Sequence, residues 1–412
     1  MRSEAALLAP RLRLVRPGER SPAAIRAQAE RSMRRTLATL SISVAILTMA
    51  GLVMVLSASS VAAFAKYGSS FLYFKRQLLY SVIGSAALLG ASRIRYQVWQ
   101  RAWVPLFGGT LLLLVLVLHP SVGTVAGGAA RWIQIGPVSI QPSELAKFAV
   151  VTACASILAG NIKRLESEPL RWIVPLLFIV GSVSLLILLQ PDLGTMMVIA
   201  FTAFVLLFVA GVRLRLLLTT FVLSSALGFA LILGKGYRRA RFLAFLHPWA
   251  DRQDTGYHIV QSLIALGSGH LFGVGLGASR QKWMYVPNAH TDFIFAILGE
   301  EMGLIGELVV LALFGALVYA GIRIALRAPD AFGRLLAGGI TAWLAIQALV
   351  NLGAVTGLLP ITGVPLPFVS FGGSSLIVSL GAVGVLLSIG RSTLAEAKAG
   401  SGRRGAAWQR DS

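Results

Sequence analysis

Runs of about twenty apolar residues recur along the whole chain, and nothing else in the sequence limits its fold as strongly. They fall at about 37–57, 77–93, 103–119, 144–161, 171–190, 193–212, 215–234, 293–322, 333–357 and 374–390. A run of that length satisfies its own backbone as a helix and is long enough to cross the hydrocarbon of a bilayer. The expected fold is an all-α polytopic membrane protein of about ten transmembrane helices, with a large extracellular loop between helices 7 and 8. Only 13% of the 412 residues are charged and 56% are hydrophobic, against roughly 25% charged in a soluble domain. That excludes the two or three soluble domains the length alone would allow.

The net charge of +21 would suggest nucleic acid in a soluble protein. Here topology accounts for most of it. With the N-terminus inside, most of the 37 basic residues fall on cytoplasmic segments, and an even number of spans returns an equally basic C-terminus to that side. Residues 1–36 carry nine arginines and no apolar periodicity, so they are expected to form a disordered cytoplasmic arm near anionic lipid headgroups. Residues 37–392 form the membrane domain and 393–412 a basic tail. The outer loops are then 58–76, 120–143, 190–192, 235–292 and 358–373. The arginine-rich lead makes the first run a retained helix, not a cleaved signal peptide. The single cysteine, Cys154, sits inside an apolar run and reads as a small core residue.

Polar groups beside membrane helices are costly and turn toward the bundle interior. Four clusters qualify, all on the expected outer side. The first holds Arg131, Gln141, Pro142, Glu144 and Lys147. Pro142 suits the first turn of a helix, and Glu144 and Lys147 share a face. It reads either as a helix start with a local ion pair or as an anion site built from Arg131, Lys147 and the free N–H groups of the helix start. The second is the turn Gln190-Pro191-Asp192, where Asp192 serves as a cap for the next helix. The third is His290-Thr291-Asp292, with Glu300 and Glu301 two turns deeper. Asp292 reads as a helix cap or as a carboxylate with a raised pKa acting as a base, and the two are compatible. At least one of the two glutamates should meet a cation or polar group inside the bundle, and Lys147 is the candidate. The fourth runs from Leu359 to Ser375 through Pro360, Pro365 and Pro367, Ser370, Gly372-Gly373 and Ser374. Its prolines force an irregular backbone, tolerated at membrane depth where it is buried or lines a wet cavity. The loop before Asp292 adds an amphipathic helix at Ile259–Leu271, the glycine-rich stretch LFGVGLG, Arg280 and Lys282. No metal-ligand spacing and no phosphate-cradling loop appear.

Together the clusters resemble the SEDS family, the FtsW/RodA/SpoVE proteins of bacterial cell-wall synthesis. The matching stretches are GAARWIQIGPVSIQPSELAKF, QPDLGT, GYHIVQSLIALGSGHLFGVGLG, AHTDFIFAILGEEMGLIGE and LPITGVPLPFVSFGGSSL. SRQKWMYVPNAHTDF and the early LSASS resemble the division branch. Asn288 stands where the family commonly has glutamate, His258 where glutamine is common and His270 where glycine is common.

The resemblance implies a peptidoglycan glycosyltransferase that polymerises lipid II, the polyprenyl-pyrophosphate-linked disaccharide-pentapeptide, outside the plasma membrane at the division septum. Asp292 matches the family's proposed catalytic aspartate. Arg131, Gln141, Glu144, Lys147, Lys282, His290, Thr291, Glu300, Ser370 and Ser374 fall in the matching motifs and are the expected substrate-binding residues. The leaving pyrophosphate needs cationic stabilisation, for which Arg131, Lys147, Arg280 and Lys282 are candidates. A divalent cation is compatible with it, and no other cofactor is implied. The implied partners are a class B penicillin-binding protein, other membrane proteins of the division machinery and membrane lipid, and not nucleic acid. Two other readings stand beside it: a lipid II flippase, with the same substrate and no bond made, which needs polar groups reaching both leaflets, and a division scaffold whose arms recruit partners, which accounts for the tails but leaves the outer motifs unexplained. Lys147→Ala and Arg131→Ala are expected to weaken polymerisation with the fold intact.

Overall fold

The computed structural model describes residues 22–126, 129–136, 138–165, 167–233, 236, 245–250, 256–283, 285–286 and 289–408. Its helices are α1 (Pro22–Tyr67), α2 (Leu72–Arg93), α3 (Gln97–Leu116), α4 (Pro142–Leu165), α5 (Pro169–Leu189), α6 (Leu193–Val209) and α7 (Leu214–Leu233). After these come α8 (Tyr257–Ser268), α9 (Ile294–Leu326), α10 (Ala331–Val355) and α11 (Gly373–Trp408). Each expected apolar run lies on one of them. Among the described residues seven helices, α1, α3, α4, α5, α9, α10 and α11, are long and apolar enough to cross a membrane. α6 and part of α7 form shorter apolar helices.

α1 runs beside α9, α2 beside α11, and α4 packs against α3 and α10. The apolar faces meet in one core that includes Leu40, Leu47, Val151, Leu158, Leu317 and Trp343. The opposite faces carry large exposed apolar side chains such as Val82, Phe178 and Leu223, as expected of a surface that faces lipid.

Three features depart from the sequence expectation. α1 begins at Pro22, inside the stretch expected to be disordered to residue 36, and residues 1–21 lie outside the described set. The stretch PAAIRAQAERSMRR is rich in alanine and other good helix formers, and Glu30 pairs with Arg34 one turn on, at 2.9 Å. α11 likewise continues into the expected tail as far as Trp408. The expected all-α fold also carries a small sheet. The loop 120–143 folds as three antiparallel strands, β1 (Gly123–Ala126), β2 (Ala129–Ile135) and β3 (Val138–Ile140), in that order. In β2–β3 pairing, Ile133 faces Ile140 and Gln134 faces Ser139.

The long run at 293–322 is not one regular helix. Gly303, with φ 64° and ψ −169°, breaks α9. The backbone groups freed there are taken up by the glycine-rich loop after α8. Leu304 and Ile305 N–H donate to the carbonyls of His270 and Leu271, and the carbonyls of Glu300 and Glu301 accept from Val274 and Gly275 N–H. A buried helix break survives only when its groups find such partners. Gly273 and Gly303 meet backbone to backbone, with no room for a β-carbon on either.

His270, exposed, stands at φ 47° in the same loop, a left-handed conformation that favours glycine. This is a position where glycine would be strain-free. A side chain in that region costs about 1–2 kcal/mol. His270→Gly is expected to raise the midpoint of thermal unfolding in detergent, with ligand-independent behaviour otherwise unchanged; a lower midpoint would show that the ring itself supports the loop.

Candidate active site

The irregular segment 359–372 is the element around which the four clusters assemble. Asn351, buried on α10, holds both of its sides. Its Nδ2 donates to the Asp292 carbonyl at 2.8 Å and to the Val364 carbonyl at 2.7 Å. One turn earlier on α10, Gln347 Nε2 donates to the Pro365 carbonyl at 2.9 Å. Phe371 N–H donates to the His290 carbonyl at 2.9 Å. At the start of α6, Gly194 packs directly on Thr362 and Val364. Ser374 Oγ accepts from Gln141 N–H at 2.8 Å and donates to the Ser139 carbonyl at 3.0 Å, which joins the start of α4 to the start of α11. Gln347 and Asn351 were not singled out in the sequence. Their only signal there is an amide at each end of one helical turn inside an apolar run.

Asp292 lies at the partly open end of this seam. The N-cap of α9 is Phe293, so Asp292 precedes the cap, and Thr291 Oγ1 donates to its Oδ1 at 2.8 Å. Gly363 lies opposite its Oδ2. His290 stacks in an aromatic group, 4.5 Å from Tyr73 and 5.7 Å from Phe371 between ring centroids. Burial pushes the His290 imidazole down to about 4. It is therefore neutral at pH 7, and contributes a hydrogen-bonding ring next to Asp292, not a cation. His258 stacks on Phe293 at 5.8 Å. Asn288 lies outside the described residues.

The expected substrate-binding residues divide by depth. Arg131, Gln141, His290 and Thr291 are half-buried, as is Asp292. Glu144, Lys147, Lys282, Glu300, Ser370 and Ser374 are all buried. Lys147 Nζ meets Glu144 at 2.7 Å and donates to Gln347 Oε1 at 2.7 Å, under the Trp343 ring at 5.4 Å. Ser370 Oγ accepts from Leu366 N–H at 2.8 Å within the irregular segment. Arg131 Nε and Nη2 donate to the carbonyls of Gln190 and Pro191, at 2.7 and 2.6 Å, clamping the turn before α6. Asp192 caps α6 as expected, accepting from Thr195 N–H and Oγ1.

The expected anion site of Arg131 with Lys147 is thus not assembled as one open pocket, because the ammonium is drawn inward and neutralised by Glu144. The expected pairing of Glu300 or Glu301 with Lys147 is also replaced. Both glutamates face the turn after the glycine-rich loop. Glu300 accepts from Arg280 N–H at 2.9 Å and from the Ser279 hydroxyl in a short contact. Glu301 lies 3.6 Å from Lys282 Nζ and accepts from Ser57 Oγ at 2.6 Å, which brings in the LSASS stretch of α1. The Arg280 side chain stays exposed. Among the described residues, no three His, Cys, Asp or Glu side chains gather as a metal site.

The model of the FtsW/RodA/SpoVE family, described as cell cycle proteins, matches residues 38–394. The chain belongs to this family. It is 46% identical over 343 residues to the probable peptidoglycan glycosyltransferase FtsW of Geobacter metallireducens, covering 83% of this chain and 91% of that one. It is 48% identical over 344 residues to the stage V sporulation protein E of Bacillus subtilis, covering 83% and 93%. Among solved structures, a chain from a peptidoglycan synthase complex, described as coordinating polymerization and crosslinking, superposes with a TM-score of 0.70 at 32% identity over 86% of this chain and 97% of its own. The rod shape determining protein RodA of Thermus thermophilus superposes with a TM-score of 0.62 at 31% identity, over 85% and 95%. The two solved chains share this helical fold along nearly their whole lengths.

Proposed function

We propose that this chain is a peptidoglycan glycosyltransferase that polymerises lipid II into glycan strands on the outer face of the plasma membrane, for septal wall synthesis. The observation that carries the reading is Asp292: a half-buried carboxylate at the open end of a polar seam where four distant segments meet. An acceptor sugar hydroxyl attacks the anomeric carbon of a glycan held on polyprenyl pyrophosphate. The new glycosidic bond forms, the bond to pyrophosphate breaks, and the hydroxyl proton passes to Asp292. Asn351 fixes the Asp292 backbone, and Thr291 orients one carboxylate oxygen. Pyrophosphate is already a good leaving group and needs positive charge more than a second acid. Arg131 retains N–H donors beyond the two on the turn, and the Arg280 guanidinium is exposed, so these two supply that charge. Lys147, Glu144, Lys282 and Glu300 act from inside, as positioning residues. A lipid-tailed substrate explains why a sugar-transfer site stands on a helix bundle.

The topology that goes with this reading has ten crossings, made by α1 to α7 and α9 to α11, with both termini cytoplasmic and Asp292 outside. A class B penicillin-binding protein packs on the membrane helices near the loop before Asp292, because the polymer must pass to a crosslinking domain. The test is purified full-length protein, with such a partner, given labelled lipid II. Glycan strands are the expected product. Lipid II moved across a liposome bilayer without any polymer would replace the reading with a flippase.

A further inference from the structure

At the end of α9 remote from Asp292, two arginines converge on one serine. Arg323 Nη2 donates to Ser32 Oγ at 2.7 Å, and Arg327 Nη1 donates to the same oxygen at 3.1 Å. A hydroxyl oxygen has two lone pairs, so both are used and two cations are held side by side on a neutral group. Among the described residues neither arginine forms an ion pair with a carboxylate. Glu30, the acidic residue nearest Ser32 in the chain, is taken by Arg34. Arg323 Nη1 donates to Tyr319 Oη at 2.8 Å, while its Nε is buried and has no partner among the described residues. Burial and the charge of Arg323 lower the pKa of Arg327. Thr393 on α11 donates to the Arg327 carbonyl, so three helices fix the spot. A fixed pair of guanidiniums with no carboxylate partner among the described residues is an arrangement that an anion stabilises, and the planar forks match phosphate oxygens.

The position says which phosphate. α1 and α9 are antiparallel neighbours, joined at one end by Ser57 and Glu301 and at the other by Ser32 and Arg323. Ser32 and Ser57 are about 37 Å apart along α1, slightly more than the roughly 30 Å of bilayer hydrocarbon. The arginines therefore lie at headgroup level. Exposed apolar side chains, Ile322 and Leu326, flank them on α9, and exposed Ile42 and Ile46 lie further along α1 toward its other end. Acyl chains lying on that surface place their own phosphate at the arginines, and Tyr319, 56% exposed, is of the type that favours this depth.

We infer that Ser32, Arg323 and Arg327 form a binding site for the headgroup phosphate of an anionic phospholipid, in the leaflet opposite Asp292. The site rests on the chain crossing a bilayer and not on the reaction at Asp292, so either reading can fail alone. The test is native mass spectrometry of the full-length protein titrated with phosphatidylglycerol and, separately, phosphatidylcholine. The double variant R323Q/R327Q is expected to bind its first phosphatidylglycerol about tenfold more weakly, the loss expected of at least one charge-assisted hydrogen bond. Its affinity for phosphatidylcholine, whose phosphate is already paired with its own choline cation, should fall much less. The arginines of residues 1–21 stay in place in every variant, so their general attraction for anionic lipid cancels. Unchanged phosphatidylglycerol affinity in the double variant would overturn the site. Full displacement of the first lipid by millimolar inorganic phosphate would overturn the lipid as its occupant and leave a free-phosphate site. If the double variant does not fold, Ser32→Ala and R327Q carry the test singly. Each should weaken the first phosphatidylglycerol severalfold, and no change in either has the same overturning force.

Discussion

Asp292→Asn is expected to insert, fold, bind lipid II and its partner, and make no detectable glycan strands. The substitution keeps the size of the side chain and an oxygen that can still accept from Thr291 Oγ1. It also leaves untouched the bond from Asn351 to the residue 292 carbonyl. What it removes is the ability to take up a proton. Loss of a general base costs roughly 10²–10⁴ in rate, whereas losing a helix cap costs about 1 kcal/mol of stability and less for asparagine. The geometry sharpens this separation, because Phe293, and not Asp292, occupies the N-cap position of α9. The measurement is turnover of labelled lipid II by protein shown to be monodisperse and of unchanged melting temperature. Activity within about threefold of the parent, well short of the loss a missing base brings, would remove Asp292 from the chemistry and send the search to the carboxylates deeper in the bundle.

Most of the helical fold was legible because the bilayer imposes one strong rule: an apolar run of sufficient length becomes a helix. The rule is silent on where such a run breaks. The interruption at Gly303 stands between Glu300-Glu301 and Glu307 in a glycine-rich stretch, but it depends on backbone partners from His270 to Gly275, which no local signal announces. The sheet at 123–140 escaped for a related reason, since short strands in an outer loop carry no span-length signal. At the site, the polar clusters were legible as motifs, and their meeting was not. Gln347 and Asn351 look like isolated amides in α10, yet they are the residues that tie the irregular segment to Lys147 and to Asp292. The partner of a charge was the least legible feature. Sequence alone left Lys147 to choose between Glu144, three residues away, and the glutamates of α9. The structure gives it to Glu144, and Glu301 to Lys282.

That assignment changes the expected outcome at Lys147. The sequence suggested a cation in a polar cavity whose removal would lower activity and spare the fold. In the structure the Lys147 and Glu144 side chains are 1% and 2% exposed and stand 2.7 Å apart. Breaking a buried pair from one side leaves the other charge without its partner, which costs about 3–5 kcal/mol. Lys147→Ala would in addition remove a donor from Gln347 Oε1 and the packing against Trp343. The expected result is a large drop in melting temperature and in the yield of monodisperse protein, with lost activity following from lost fold. Removing both charges separates the effects. A Lys147→Met, Glu144→Gln double variant has no orphaned ion and keeps the volume, so it should recover most of the stability that Lys147→Ala loses. If the double variant is stable and still polymerises lipid II, the pair is a packing element of the seam. If it is stable and inactive, the ammonium reaches the substrate during turnover and the original anion-site expectation returns. A stable, fully folded Lys147→Ala protein would contradict the buried pairing itself, since no other cation among the described residues pairs with Glu144.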